Sequence, residues 1–355
     1  MTDHKKELQE LILTVVKEDA SDLHLSVGVR PTIRVSGALM PLLKYQILSP
    51  QDVEGLVLSL LSDFNQERLK NDKEVDFSYS FEDKARFRGN AFYQRGFLGC
   101  SLRLIPPQVK DLKSLNLPES ALSQFASREQ GFFLVVGPIG HGKSTTLASM
   151  IDFINHTRSE HILTIEDPIE YLFSQDKSII EQREVYFDTQ SFYRALRSMF
   201  RQDVNVAMIG EMRDPETIST AITAAETGHL ILSSLHTNSA SQTINRIIDS
   251  FPPAQQNQIR IQLSSSLLGI FSQRLVPRVA GGLIPAYELL INNTAVGNLI
   301  REARTHEIDT VIETSSDQGM VSLNRSLIDL VKKGEITIEN AIALSLNSKE
   351  LQRAL

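Results

Sequence analysis

The chain has a single cysteine, Cys100. That excludes an intramolecular disulfide and any cysteine-built zinc site, and it fits a reducing compartment. No apolar run approaches the about 20 residues of a membrane-spanning helix. The opening Met1-Thr2-Asp3-His4-Lys5-Lys6-Glu7 carries no signal-peptide core, so a cytoplasmic protein with at most a peripheral membrane role is expected. A basic surplus is missing too. Residues 1–110 hold 15 of the 36 Lys and Arg and 15 of the 43 Asp and Glu, so residues 111–355 supply the whole net charge of −7. Gripping nucleic acid through its phosphates needs a cationic excess, so stable nucleic-acid binding is not expected. A composition of 41% apolar and 22% charged residues over 355 positions is ordinary for a globular protein of two domains.

Hydrophobic spacing divides the chain. Apolar residues at 8, 11, 12, 15 and 16 predict a first helix. Residues 22–27 and 31–37 predict strands. Residues 77–81 and 87–92 predict a hairpin, and 98–105 a further strand, giving an α+β module with a mainly antiparallel sheet. Pro106-Pro107 breaks it, and 108–118 reads as a linker. From 119 the pattern alternates buried strands (131–136, 161–166, 206–211 and 230–235) with helices, the pattern of a parallel α/β domain. Asp214, Pro215 and Glu216 start one helix and Gly228 stops it. Residues 250–355 are expected to be mostly helical.

The chemistry starts at Gly137-Pro138-Ile139-Gly140-His141-Gly142-Lys143-Ser144-Thr145, which fits the G-x-x-x-x-G-K-[ST] phosphate loop between an apolar strand and a helix. Backbone N–H groups of such a loop cradle a polyphosphate at a helix N-terminus. Lys143 reaches the β/γ-phosphates, and the Ser144 hydroxyl offers a Mg²⁺ ligand. The expected cofactors are ATP and Mg. Ligands of open α/β sheets sit beyond the carboxyl ends of the strands, where Glu166, Glu211 and His236 also fall. Glu211 suits a Mg²⁺-organising acid and Glu166 a base for the attacking water; the plainer alternative for each is a solvated strand end. His236 suits a sensor of the γ-phosphate. His229 lies seven residues earlier, roughly 23 Å along an extended chain, and a structurally satisfied histidine explains it equally well. Arg197 and Arg201, read with Arg194 as one helix, and Arg213 are candidate cations for phosphoryl transfer, as are Arg88, Arg95 and Arg103. A solvated helix face is the plainer alternative for Arg194, Arg197 and Arg201.

With these residues in view, the chain resembles the type II/IV secretion ATPases, and among them the pilus-retraction branch. The likeness covers essentially the whole length. It rests on the phosphate loop and on Thr164-Ile165-Glu166-Asp167-Pro168-Ile169-Glu170-Tyr171. It rests equally on Ile209-Gly210-Glu211-Met212-Arg213-Asp214, on Thr227 to Thr237 around the two histidines, and on Arg86-Phe87-Arg88-Gly89-Asn90-Ala91-Phe92. The resemblance implies a PAS-like N-terminal domain (1–107) on a RecA-like ATPase domain (119–355), assembled as a homo-hexamer with nucleotide between subunits. It also implies roles for Glu166 and His229, an inner-membrane platform protein as partner at the pilus base, and a paralogous retraction ATPase as a further partner. The four-cysteine zinc motif common in the extension and type II secretion branches is impossible here. The retraction motif has its match in Ala295-Val296-Gly297-Asn298-Leu299-Ile300-Arg301-Glu302, with Gly297 where that motif has arginine. Two further departures are Ile139 and His141 in the phosphate loop, and Gln202-Asp203-Val204-Asn205 before the third strand. The function expected is ATP-driven pilus retraction. The alternatives are an accessory retraction ATPase dependent on a principal motor, or a nucleotide-dependent regulatory subunit with little turnover; a DNA-translocating motor is disfavoured by charge.

Overall fold

A computed structural model describes residues 4–35, 37–82, 84–105 and 108–355. The Pro106-Pro107 break, Ser36 of the expected second strand and the first three residues lie outside the described residues. The chain divides into two compact units, Met1–Gln108 with Pro168–Leu172, and Val109–Asp167 with Phe173–Leu355.

In the first unit, α1 (His4–Lys17) precedes β1 (Asp22–Ser26), β2 (Thr32–Val35) and β3 (Ala38–Pro41). Two helices follow, α2 (Pro50–Leu60) and α3 (Asp63–Asp72), then β4 (Glu74–Phe81), β5 (Ala85–Gln94) and β6 (Phe97–Ile105). The strands form one antiparallel sheet in the order β3-β2-β1-β6-β5-β4. Leu8, Leu11, Ile12 and Val15 of α1 and Val53, Leu56 and Val57 of α2 share one core with this sheet. Val16, expected on the buried stripe, is exposed instead, because a stripe narrower than the helix repeat leaves one of two adjacent apolar residues outside. Neither α2 nor α3 was anticipated. Ser49 and Asp52 close a reciprocal capping box on α2, with Pro50 in its first turn.

The second unit runs α4 (Glu119–Ala126), β7 (Gly131–Val136), α5 (Lys143–Thr157), β8 (His161–Glu166), β9 (Ile179–Glu184), α6 (Phe192–Met199), β10 (Val206–Ile209), α7 (Pro215–Glu226) and β11 (Leu230–Leu235). Next come α8 (Ala240–Asp249), α9 (Pro253–Ser266), β12 (Leu267–Pro277), β13 (Leu283–Ile291), α10 (Thr294–Arg301), α11 (Ile308–Thr314), α12 (Leu323–Lys332), α13 (Ile338–Leu344) and α14 (Ser348–Ala354). The sheet order is β13-β12-β7-β11-β10-β8-β9, parallel throughout except for the β12–β13 pair. Every residue of β7 is buried. Phe132, Leu134 and Val136 face a layer built from α6 to α11, while Phe133 and Val135 face α4 and α5. Burial on both faces is why this strand reads as an unbroken apolar run. Leu112 and Leu117, in the stretch read as linker, are buried in the second unit's core. The stretch after residue 250 opens on helix α9 and ends in helices, but two strands interrupt it. β12 and β13 make a long hairpin with Gly281 and Gly282 at φ 87° and 77° in its turn.

Candidate functional site

The phosphate loop leaves β7 with Gly137, Gly140 and Gly142 at φ 145°, 78° and 81°, a region a side chain penalises. Lys143 opens α5 and is 6% exposed. Its ammonium donates to the carbonyls of Gly137 and Pro138, both at 2.9 Å, and lies 3.1 Å from His236 Nδ1. An ammonium only donates, so Nδ1 is unprotonated and the imidazole proton sits on Nε2. Nε2 faces Glu211 Oε2 at 3.7 Å, and Glu211 Oε1 is 2.7 Å from the Arg213 guanidinium. Desolvation first, and the Lys143 cation second, hold the His236 pKa below its ordinary value. Ser144 is exposed beside Lys143, Thr145 is half-buried, and Ile139 is 82% exposed.

Neighbouring strands aim the acids. β10 ends at Ile209, two residues short of the expected Glu211, because Gly210 leaves the ladder while its N–H still donates to Ile165 O at 2.8 Å. The buried hydroxyls of Ser233 and Ser234 on β11 donate to Ile209 O (2.8 Å) and Gly210 O (2.6 Å). Glu211 therefore leaves a fixed backbone. Glu166, the last residue of β8, is 6% exposed, and its Oε1 accepts from Thr164 Oγ1 at 2.7 Å and from Gln182 Nε2 at 3.4 Å. Gly210 packs against it: a Cβ there would lie 3.5 Å from Glu166 Cα.

The remaining candidates are elsewhere. His229 precedes β11, at the opposite end from the loop; its Nδ1 is 3.0 Å from Ala224 O and its ring meets Phe200 edge-on at 5.4 Å. Arg197 is exposed on α6, and Arg201 lies in the turn after the helix rather than within it, since α6 ends at Met199. In the first unit, Arg103 is engaged by Asp22 at 2.9 Å. Asn205, one of the departures, takes a structural part: its Oδ1 accepts from His161 N at 2.9 Å and its carbonyl from Leu230 N at 3.0 Å.

Sequence reasoning missed the outer wall of the loop. Gln273 on β12 is 3% exposed; its Oε1 accepts from Thr146 Oγ1 at 2.6 Å and its Nε2 donates to His141 O at 2.9 Å. The available signal was a Ser-Gln-Arg insertion in the apolar run 267–276.

A model of the Type II/IV secretion system protein family matches residues 3–283. Over 94% of this chain and 97% of the relative, the sequence is 42% identical to the type IV pilus retraction ATPase PilT of Pseudomonas aeruginosa. It is 39% identical to the type IV pilus ATPase PilU of the same organism, over 98% of this chain and 90% of that protein. Among solved structures, the pilus retraction motor PilT with bound ADP superposes with a TM-score of 0.90 at 47% identity, covering 97% of this chain and 98% of that one.

Proposed function

This chain belongs to the type II/IV secretion system protein family, and from that premise we propose that it is a motor ATPase coupling ATP hydrolysis to retraction of a type IV pilus. The observation that carries the reading is the junction of Lys143, His236 and Glu211 beside the glycine loop, at the carboxyl ends of adjacent strands. ATP lays its phosphates in the N–H cradle of residues 137–145. Lys143 exchanges the Gly137 and Pro138 carbonyls for β/γ-phosphate oxygens. That movement takes the lysine away from His236, so the histidine reports on the γ-phosphate. Glu166, buried and held by Thr164 and Gln182, accepts the proton of the water that attacks the γ-phosphorus; ADP leaves and phosphate forms.

The Ser144 hydroxyl and the Glu211 carboxylate are hard oxygen donors of the type Mg²⁺ takes. Among the described residues no group of three or more His, Cys, Asp or Glu forms a metal cage, as suits an ion shared with substrate phosphates. Held by Ser144 and Glu211, Mg²⁺ would supply charge neutralisation for the phosphates. Arg213 pairs with Glu211 at 2.7 Å. Arg197, Arg201 and His229, remote from the loop of their own chain, serve a neighbouring subunit's nucleotide in a homo-hexameric ring. The unit of Met1–Gln108 with Pro168–Leu172 serves as the N-terminal module, and that of Val109–Asp167 with Phe173–Leu355 as the ATPase module. The ring works in the cytoplasm at the inner membrane, on a platform protein of the pilus base; among the described residues no helix is long and apolar enough to cross a membrane.

Complementation tests this reading. Expressed alone in a strain lacking its retraction ATPases, the wild-type chain is expected to restore twitching, and Glu211→Ala is not. Restoration only beside a functional principal motor would replace the autonomous motor with an accessory one.

A further inference from the structure

β12 stays paired with β7 only as far as Ser272–Val136. Its next residues run on beside the phosphate loop, where three contacts join them to it. Gln273 Nε2 donates to His141 O at 2.9 Å, Gln273 Oε1 accepts from Thr146 Oγ1 at 2.6 Å, and Leu275 N donates to His141 Nδ1 at 2.9 Å. Thr146 lies in the first turn of α5, three residues past Lys143, and is 1% exposed. A single side-chain amide therefore spans from the apex of the loop to the start of the helix, the two parts whose relative angle shapes the N–H cradle. Two of the loop's glycines answer to the same residue. A Cβ at Gly137 would collide with the Gln273 carbonyl oxygen, and one at Gly142 would lie 2.9 Å from Gln273 Nε2. His141 is also explained. Its ring accepts a backbone N–H from β12, so its imidazole acts as a strand partner to the loop and not as a phosphate ligand.

We propose that Gln273 and the His141 side chain are positioning residues that lock the phosphate loop to β12 and so hold its backbone amides ready for a nucleoside diphosphate or triphosphate. The inference rests on the nucleotide reading of this loop. The lock acts before chemistry, so its loss weakens nucleotide binding and raises KM while kcat at saturation changes much less. Asparagine places an acceptor oxygen near the position of a histidine Nδ1, whereas alanine places none.

The test is titration of the full-length protein with a fluorescent ADP analogue, with thermal melts run alongside. Gln273→Ala and His141→Ala are each expected to weaken binding by about 10-fold, the scale of one or two lost hydrogen bonds. His141→Asn is expected to stay within about 2-fold of wild type. Gln273→Glu keeps the acceptor for Thr146 but sets a carboxylate against His141 O, and is expected to fail like the alanine variant. If Gln273→Ala does not fold, the His141→Ala and His141→Asn pair decides alone. Equal binding by wild type and both alanine variants overturns the lock, as does His141→Asn binding no better than His141→Ala. Failure of the wild type itself to bind would instead remove the nucleotide reading, and the lock with it.

Discussion

Lys143 carries the electrostatics of the site in a form that a phosphate replaces directly. Its ammonium donates to two loop carbonyls and lies 3.1 Å from one imidazole nitrogen, contacts that charge-assisted bonds to an anionic oxygen can replace. In the proposed mechanism Glu166 is the residue whose loss would separate binding from turnover. Glu166→Gln keeps the shape and the Thr164 contact but removes the proton acceptor, so kcat is expected to fall by about 10²–10⁴-fold with ATP affinity retained; single-turnover hydrolysis beside equilibrium binding checks it. Glu288 makes a sharper prediction on stability. Burial pushes its pKa up to about 7, despite the Ala240 N–H that it accepts at 2.8 Å. The folded state thus holds this proton where the unfolded chain has lost it. Stability is full below the unfolded pKa of about 4.5 and is lost as pH rises through about 7. Glu288→Gln keeps an acceptor without the charge. It is expected to stabilise the protein by about 3 kcal/mol at pH 8 and to change little at pH 5, as denaturant melts at the two pH values would show.

At the scale of elements, legibility followed burial. β7, β8 and β11 were read with their bounds because a strand covered on both faces must be apolar throughout, and a turn residue or an acid ends it sharply. α7 was legible through its cap, where Asp214 accepts from Thr217 N at 2.7 Å. β12 and β13 were not. Their buried Ser272, Gln273, Arg274 and Glu288 break the apolar pattern, and partners elsewhere in the fold, such as Asn238 O for Ser272 and Ala240 N for Glu288, are invisible along the chain. The acids at the strand ends were legible as residue types. What fixes Glu211, the Ser233 and Ser234 hydroxyls gripping the end of β10, needed the parallel register of β10 and β11. In α10, Gly297 has a negative φ and room for a Cβ, whose nearest neighbour would be Ser264 O at 3.5 Å. Gly297→Ala is therefore expected to stabilise the protein by about 1 kcal/mol, the helix-propensity difference, read as a raised unfolding midpoint. A lower midpoint would mean that the close approach of α10 to Ser264 on α9 needs the glycine.

For the whole molecule, the nucleotide loop, Glu166, Glu211 and His236 gather at one end of one sheet, while His229, Arg197 and Arg201 do not join them. In the proposed motor this separation would suit a site completed by a neighbouring subunit, since phosphoryl transfer can be helped by an arginine from a neighbour. Residues 111–355, with 28 Asp and Glu against 21 Lys and Arg, lack the cationic excess with which nucleic acid is gripped through its phosphates. The measurement that bears most directly on this account is steady-state ATPase activity across a protein concentration series, with the assembly mass read in parallel, for wild type and Glu211→Ala. The account predicts turnover per subunit that rises as rings form and disappears in the variant. Full turnover by the isolated chain, or undiminished turnover with Glu211 replaced, would contradict it.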